Sequence, residues 1–396
     1  MLTRGAMVIG AAASMVAAPA LSRAQTSAAG RTAALAAALL RDDSLAARAA
    51  PLGILLGTAA DPSQLDADSA YARTVAHECS LLVPENVLKT GYTWANPYSF
   101  DFGGADRLFA FATARSMAFR GHTLVWHGSE PAWLSSSIVS AQTARAKLLR
   151  QVIEPCVHFR GRVDSWDVVN EPISLADGQP GGLRRSTWQR WLGSDYIALA
   201  FTAARQADPK ALLVLNEHSI EFDRRDHEDK RNAVLALLQS LRSADVPIDA
   251  LGIQAHLGGT DHFNPGLFER FLNRISALGL KILITEMDVI DRDLPADRDE
   301  RDQIVAQSIG DFLAVVLRHP EVTTVASWGL SDRHNWLSYE RFARRTDGLP
   351  LRPSLLDEDL NRKPAYMAVR TALVDAARLR PLAGGRPYPQ PSVVSP

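Results

Sequence analysis

Eight short apolar or β-branched runs alternate with longer amphipathic stretches along most of the chain, and this alternation limits the fold more than any single residue does. The runs are Ile54–Ala60, Ser80–Pro84, Ala118–Trp126, Val163–Val169, Leu212–Leu215, Ala250–Ala255, Lys281–Thr285 and Thr323–Trp328. Helical patterns lie between them, among them Ala141–Phe159, Thr187–Ala207, His227–Leu241, Pro265–Leu278 and Glu300–Leu317. A strand that is apolar at nearly every position must be covered on both faces, as strands of a parallel sheet between helices are. The alternation therefore predicts an α/β chain, and eight units without a long linker predict a single-domain (β/α)8 TIM barrel. An open doubly wound sheet is the competing architecture. It calls for a glycine-rich phosphate turn after an early strand, and Gly53 and Gly57 do not make GxGxxG.

The barrel is expected over residues 51–380. With 396 residues, 46% of them hydrophobic, the chain has enough apolar material for a core of that size. Residues 1–24 read as an export signal: Arg4 gives a positive start, Ala6 to Ala18 is small and apolar, Pro19 breaks it, and Ser22-Arg23-Ala24 has the form of a cleavage site. A buried first helix is the alternative. A secreted or periplasmic protein follows from the signal, with general and twin-arginine export both open. Residues 25–50 are Ala-rich and either helical or loosely attached, and the tail 381–396 is irregular. No other apolar run reaches the roughly 18 residues of a membrane span. A net charge of −1 gives no footprint for nucleic acid, and a monomer is expected. Cys79 and Cys156 form no framework and no metal cluster, and read as two buried thiols.

The unusual polar and aromatic residues fall at the C-terminal ends of the runs. Pro84-Glu85-Asn86 and Lys89 end the second, and His122, Trp126 and His127 belong to the third. Asn170-Glu171 end the fourth, Asn216-Glu217-His218 the fifth, Gln254-Ala255-His256 the sixth, Thr285-Glu286-Met287-Asp288 the seventh, and Trp328-Gly329, then Asp332 and Trp336, the eighth. In a barrel these ends meet on the face where active sites are built.

Two carboxylates stand out there, Glu171 and Glu286. A carboxyl pair about 5–5.5 Å apart can run retaining glycoside hydrolysis, one protonating the leaving oxygen and the other attacking the anomeric carbon. Taken singly, a strand-end Glu is as readily a surface or salt-bridged residue. His256 and Asp288 are expected to pair and to hold Glu286 ionised and oriented as nucleophile. An aromatic neighbourhood is expected to raise Glu171 as the acid, with Asn170 binding a substrate hydroxyl beside it. Trp126, Trp328 and Trp336 suit the apolar faces of sugar rings, and Glu85, Asn86, Lys89, His122 and Gln254 suit hydroxyls. Trp133, Trp166, Trp188 and Trp191 are assigned to packing, and His77, His158, His227, His262 and His319 to structural or solvated positions.

These residues carry a family pattern. Pro84-Glu85-Asn86-x-x-Lys89, Gly121 to His127, Trp166 to Glu171, Gly252-x-Gln254-x-His256, Ile284 to Val289, Trp328-Gly329-x-x-Asp332 and Lys363-Pro364-Ala365-Tyr366 resemble family 10 of the glycoside hydrolases, the endo-β-1,4-xylanases. The resemblance covers roughly residues 50 to 378. It implies xylan or xylo-oligosaccharides as substrate, a retaining mechanism, and no metal or organic cofactor. By matching position Glu171 is the acid/base and Glu286 the nucleophile. Asn170, His122, Trp126, Gln254 and His256 line the cleavage subsite; Glu85, Asn86 and Lys89 grip the next xylose on the non-reducing side; Trp328 and Trp336 wall the site.

The chain departs from the family where Thr90 replaces a Trp, where Ser129 and Glu130 follow His127 in place of the usual Gln, and where Asn216-Glu217-His218-Ser219 replaces Asn-Asp-Tyr-Asn. These changes bear on subsite strength, not on the two glutamates. Three other readings compete: a metal-dependent barrel hydrolase using His122, His127, His256 and Asp288; a carbohydrate-binding protein without catalysis; and a retaining glycanase or cellobiosidase acting on β-glucan.

Overall fold

The computed structural model describes residues 25–379. Its strands are β1 (Leu55–Ala60), β2 (Leu81–Pro84), β3 (Ala118–Gly121), β4 (Ser165–Asn170), β5 (Leu212–Glu217), β6 (Ala250–Ile253), β7 (His256–Gly258), β8 (Lys281–Ile290) and β9 (Val322–Ser327). β1 to β6 pair in chain order, β1 also pairs with β9, and β9 with β8. β8 then pairs with β6 from Ala250↔Lys281 to Ile253↔Ile284, all in parallel, so the sheet closes on itself. This is a (β/α)8 barrel, and the closure rules out the open sheet.

Burial follows the pleat. β1 is buried at every position. Leu55 and Ala59 join Leu81, Val83, Ala326 and Trp328 in one cluster, while Leu56 and Ala60 join the large cluster shared with the helices. That division is the two-residue period of a strand covered on both faces. Gly121 ends β3 because the Trp166 ring lies on it: a Cβ there would stand 2.1 Å from that ring.

Three differences from the sequence reading concern the mouth. The Ala118–Trp126 run keeps ladder pairing only to Gly121, and beyond it Val125 makes a single bridge to Val169. The helix expected over Thr187–Ala207 is two, Thr187–Leu192 and Asp195–Ala207, parted at Gly193 with φ 63°. β8 does not stop at Thr285 but continues to Ile290, so Glu286 lies within a strand, and its far half pairs with the short extra strand β7.

The Ala-rich segment is helical and attached. Gln25–Leu39 lies against the barrel, with Ala34 buried in the cluster of Leu55 and Leu81. Arg31 pairs with Asp164 at 2.9 Å and also donates to the Thr323 carbonyl. At the other end Lys363 opens the helix Pro364–Leu379, its Nζ 2.9 Å from Asp332, so Asp332 serves the scaffold. Cys79 and Cys156 are free and buried. The expected signal and the C-terminal tail lie outside the described residues.

Candidate active site

Glu286 projects from β8, and both of its carboxyl oxygens are occupied. Oε1 accepts from Asn216 Nδ2 at 2.7 Å, and Oε2 lies 3.3 Å from His256 Nε2. The other face of His256 is fixed by Asp288, whose Oδ1 is 2.8 Å from Nδ1; Asp288 Oδ2 accepts from Trp336 Nε1 at 2.7 Å. The β7–β8 register, His256↔Asp288, makes the first of these contacts. It follows from Ala255, whose φ of 59° turns the chain out of β6, and whose N–H is held by buried Glu221 at 3.1 Å.

The electrostatics match that geometry. Burial pushes the Glu286 carboxyl up, but His122, the hydrogen bond and charge of His256, and Asn216 more than offset it, bringing the group down to about 2. Burial lowers His256, yet Asp288 and Glu286 hold it well above the usual imidazole value.

Glu171 follows β4 in the left-handed region, with φ 55°, where a non-glycine residue persists only if its surroundings hold it. Its N–H donates to the Asn216 carbonyl at 2.9 Å, and its carbonyl accepts from Arg184 Nε at 2.8 Å. Oε1 accepts from Gln254 at 3.2 Å and from Asn170 at 3.4 Å. Oε2 has no donor so close: His127, Arg184 and His218 stand 4.0, 3.9 and 3.9 Å away. Asn170 Oδ1 accepts from Asn216 Nδ2 at 2.9 Å, so an amide relay joins the surroundings of the two carboxyls.

The expectation of a raised Glu171 is not met. Burial does raise it, but His218, with Trp126 and Gln254, outweighs burial and the charge of Glu286, and the group lies below the usual carboxylate value. The aromatic surroundings are real, but polar groups reach the carboxyl through them.

The other expected residues converge here. Lys89 donates to Asn86 Oδ1 at 2.9 Å, and Asn86 to Glu85 Oε1 at 3.3 Å. The Lys89 ammonium stands 5.0 Å from the Trp126 ring and 5.8 Å from Trp328. Burial lowers Lys89, opposed by Glu286, Glu85 and Glu171, so its charge faces the carboxylates. His122 meets Trp328 edge-on at 4.9 Å and hydrogen-bonds Asp167 at 2.9 Å. Trp328 is only 5% exposed and forms floor more than wall.

Sequence placed Asn216 and His218 at the end of the fifth run but expected the departure there to bear on subsite strength alone; the structure corrects this, since Asn216 donates to Glu286 at 2.7 Å and His218 stands 3.9 Å from Glu171. Arg184 was not named at all, because it lies in an irregular loop without a periodic signal. The departures Thr90, Ser129 and Glu130 serve the scaffold: Thr90 accepts from buried Gln151 at 3.0 Å, Ser129 from the Gly91 N–H at 3.2 Å, and Glu130 from Thr187 at 2.7 Å. His122 and His256 flank Glu286 at 3.9 and 3.3 Å while His127 faces Glu171 at 4.0 Å, and among the described residues no group of three or more His, Cys, Asp or Glu is placed to hold a metal.

The model of glycosyl hydrolase family 10 matches residues 44–372. The chain belongs to glycosyl hydrolase family 10. It is therefore a glycosidase. Among family 10 relatives, it is 31% identical over 323 residues to endo-1,4-β-xylanase B of Thermotoga neapolitana, covering 78% of this chain and 85% of that one. It is 32% identical over 346 residues to endo-1,4-β-xylanase 5 of Pyricularia oryzae, covering 86% and 80%. Xylanase 10B of Thermotoga petrophila, solved with xylobiose, superposes with a TM-score of 0.76 at 32% identity, over 84% of this chain and 98% of that one.

Proposed function

We propose that this family 10 hydrolase is an endo-β-1,4-xylanase working by retaining double displacement, with Glu286 as nucleophile and Glu171 as general acid/base. The observation that carries the reading is the asymmetry of the two carboxyls. Glu286 is clamped on both oxygens and brought to about 2, as a nucleophile requires. Glu171 accepts from Gln254 and Asn170 on Oε1, while the charged and imidazole groups nearest Oε2 stand 3.9 to 4.0 Å away.

In the first step a Glu286 oxygen attacks the anomeric carbon while the Glu171 proton passes to the glycosidic oxygen; that C–O bond breaks and a glycosyl ester forms. In the second, Glu171 takes a proton from water, the water oxygen attacks the same carbon, and Glu286 leaves as carboxylate. Two inversions restore the β configuration. His122, Trp126, Asn170, Gln254 and His256 surround the sugar being cleaved, Glu85, Asn86 and Lys89 take the next one on the non-reducing side, and Trp328 and Trp336 bound the site.

Xylan is supported by the names of the relatives and by the xylobiose-bound neighbour. Time-resolved product analysis on unsubstituted xylohexaose, beside rates on xylan and carboxymethyl-cellulose, tests substrate and mechanism together. Internal cleavage with initially β products on xylan is expected; faster turnover of the cellulose derivative would make the protein a β-glucanase. The proposal includes export as a monomer, checked by cell fractionation and size-exclusion chromatography. Among the described residues no helix is long and apolar enough to cross a membrane.

A further inference from the structure

We propose that His218 is a positioning residue for Glu171, acting on the acid/base carboxyl through its Oε2 oxygen and governing its proton exchange. The inference rests on the reading of Glu171 as acid/base.

The ring is held in place by its own strand end. Its backbone N–H donates to Glu217 Oε1 at 3.1 Å, and Glu217 is anchored by Lys230 at 2.7 Å. Nδ1 lies 2.7 Å from Ser219 Oγ, and Ser219 sits at φ 56°. When Nδ1 accepts the Ser219 hydroxyl proton, Nε2 carries the hydrogen and presents it to Glu171 Oε2, 3.9 Å away. The groups facing the ring are Glu171 after β4, Arg184 from the following loop, Glu217 of its own strand, Lys230 from the helix Arg225–Ser243, and His256 of β7.

Burial, then Lys230, drive His218 down to about 4, with Glu171 opposing. His218 is in turn the foremost group lowering Glu171 against burial. Each therefore bears on the protonation of the other. Without the ring, burial and the charge of Glu286 act on Glu171 with less opposition, and it keeps its proton to higher pH. A permanent cation at the position does the reverse. His218 thus favours the ionised Glu171 that the second step needs, and confines the protonated form needed in the first step to more acidic solution.

The test is the pH dependence of kcat/KM on xylohexaose for His218→Gln, His218→Lys and the native enzyme, with circular dichroism confirming the fold. The alkaline limb, which reports the essential acid of the free enzyme, is expected to move up by roughly one pH unit in His218→Gln and down in His218→Lys. Limbs that stay in place, or that both move the same way, overturn the proposal, whatever happens to kcat or KM. Glu171→Ala on aryl xylosides of graded leaving-group ability separates the premise from the inference: a loss that does not depend on the leaving group defeats the acid/base reading, whereas a graded loss with fixed limbs defeats only the role of His218.

Discussion

Asn216 Nδ2 lies 2.7 Å from Glu286 Oε1, and the same nitrogen donates to Asn170 Oδ1 at 2.9 Å. Its own Oδ1 accepts from Thr285 Oγ1 at 2.8 Å, so the buried amide is satisfied on both ends and cannot be rotated without loss. Asn216→Asp puts an acceptor where Glu286 needs a donor. Kcat is expected to fall at least roughly a hundredfold, and Asn216→Ala, which removes the bond to Glu286, worth about 1.5–3 kcal/mol, along with those to Asn170 and Thr285 but sets no acceptor against the carboxylate, to cost less. An aspartate variant as active as the alanine one would show that the hydrogen-bond sense does not matter.

Glu286→Ala is expected to abolish turnover on every substrate. Glu171→Ala should fail on xylan yet retain much of its bond-cleaving step on aryl xylosides with activated leaving groups, which need little protonation. Burst kinetics would show the glycosyl-enzyme accumulating, since the same variant lacks the base for the second step. Equal losses on both substrate types would reverse our assignment.

His256 links the site to stability. An unfolded imidazole releases its proton near 6.5, and the folded one holds it to well above that. The contribution is complete below about pH 6.5 and lost as pH rises through the folded value. Glu286 runs the other way: from a usual 4.5 down to about 2 when folded, it contributes fully above 4.5 and loses this as pH falls toward 2. Urea unfolding at pH 6, 8 and 9 should show native stability declining with pH, and a flatter profile in His256→Gln. Parallel profiles would remove His256 from the account.

Arg31 ties the first helix to the barrel through Asp164, with side chains 18% and 6% exposed. Arg31→Ala removes the ion-pair partner of both Asp164 oxygens and is expected to cost about 2 kcal/mol, read as a lower urea midpoint. Activity of the folded enzyme at room temperature should not change, because the pair is remote from the mouth. An unaltered midpoint would mean that the Arg31–Asp164 pair contributes no net stability.

The barrel was legible because its cause is local: runs such as Leu55–Ala60 must be apolar on both sides, and that requirement is written residue by residue. The candidate site was legible for a related reason, since Glu171 and Gln254 fall just past β4 and β6, where a barrel gathers its functional groups. His256 was paired with Asp288 on chemistry alone, but the short strand that makes the pair was not foreseen, because three residues of β7 carry no period of their own. Arg184 escaped notice for the same reason.

By itself, the order of amino acids determined the architecture, the two carboxylates and most of the residues around them, since strand burial and strand-end position are properties of short segments. Only the tertiary structure decided how those residues act on one another: that Asn216 bridges to Glu286, that polar groups hold Glu171 down despite its aromatic surroundings, and that His218 faces its Oε2 oxygen. Such effects depend on distances of 3 to 4 Å between atoms far apart along the chain, and a charge or a hydrogen bond registers that spacing, not the sequence separation.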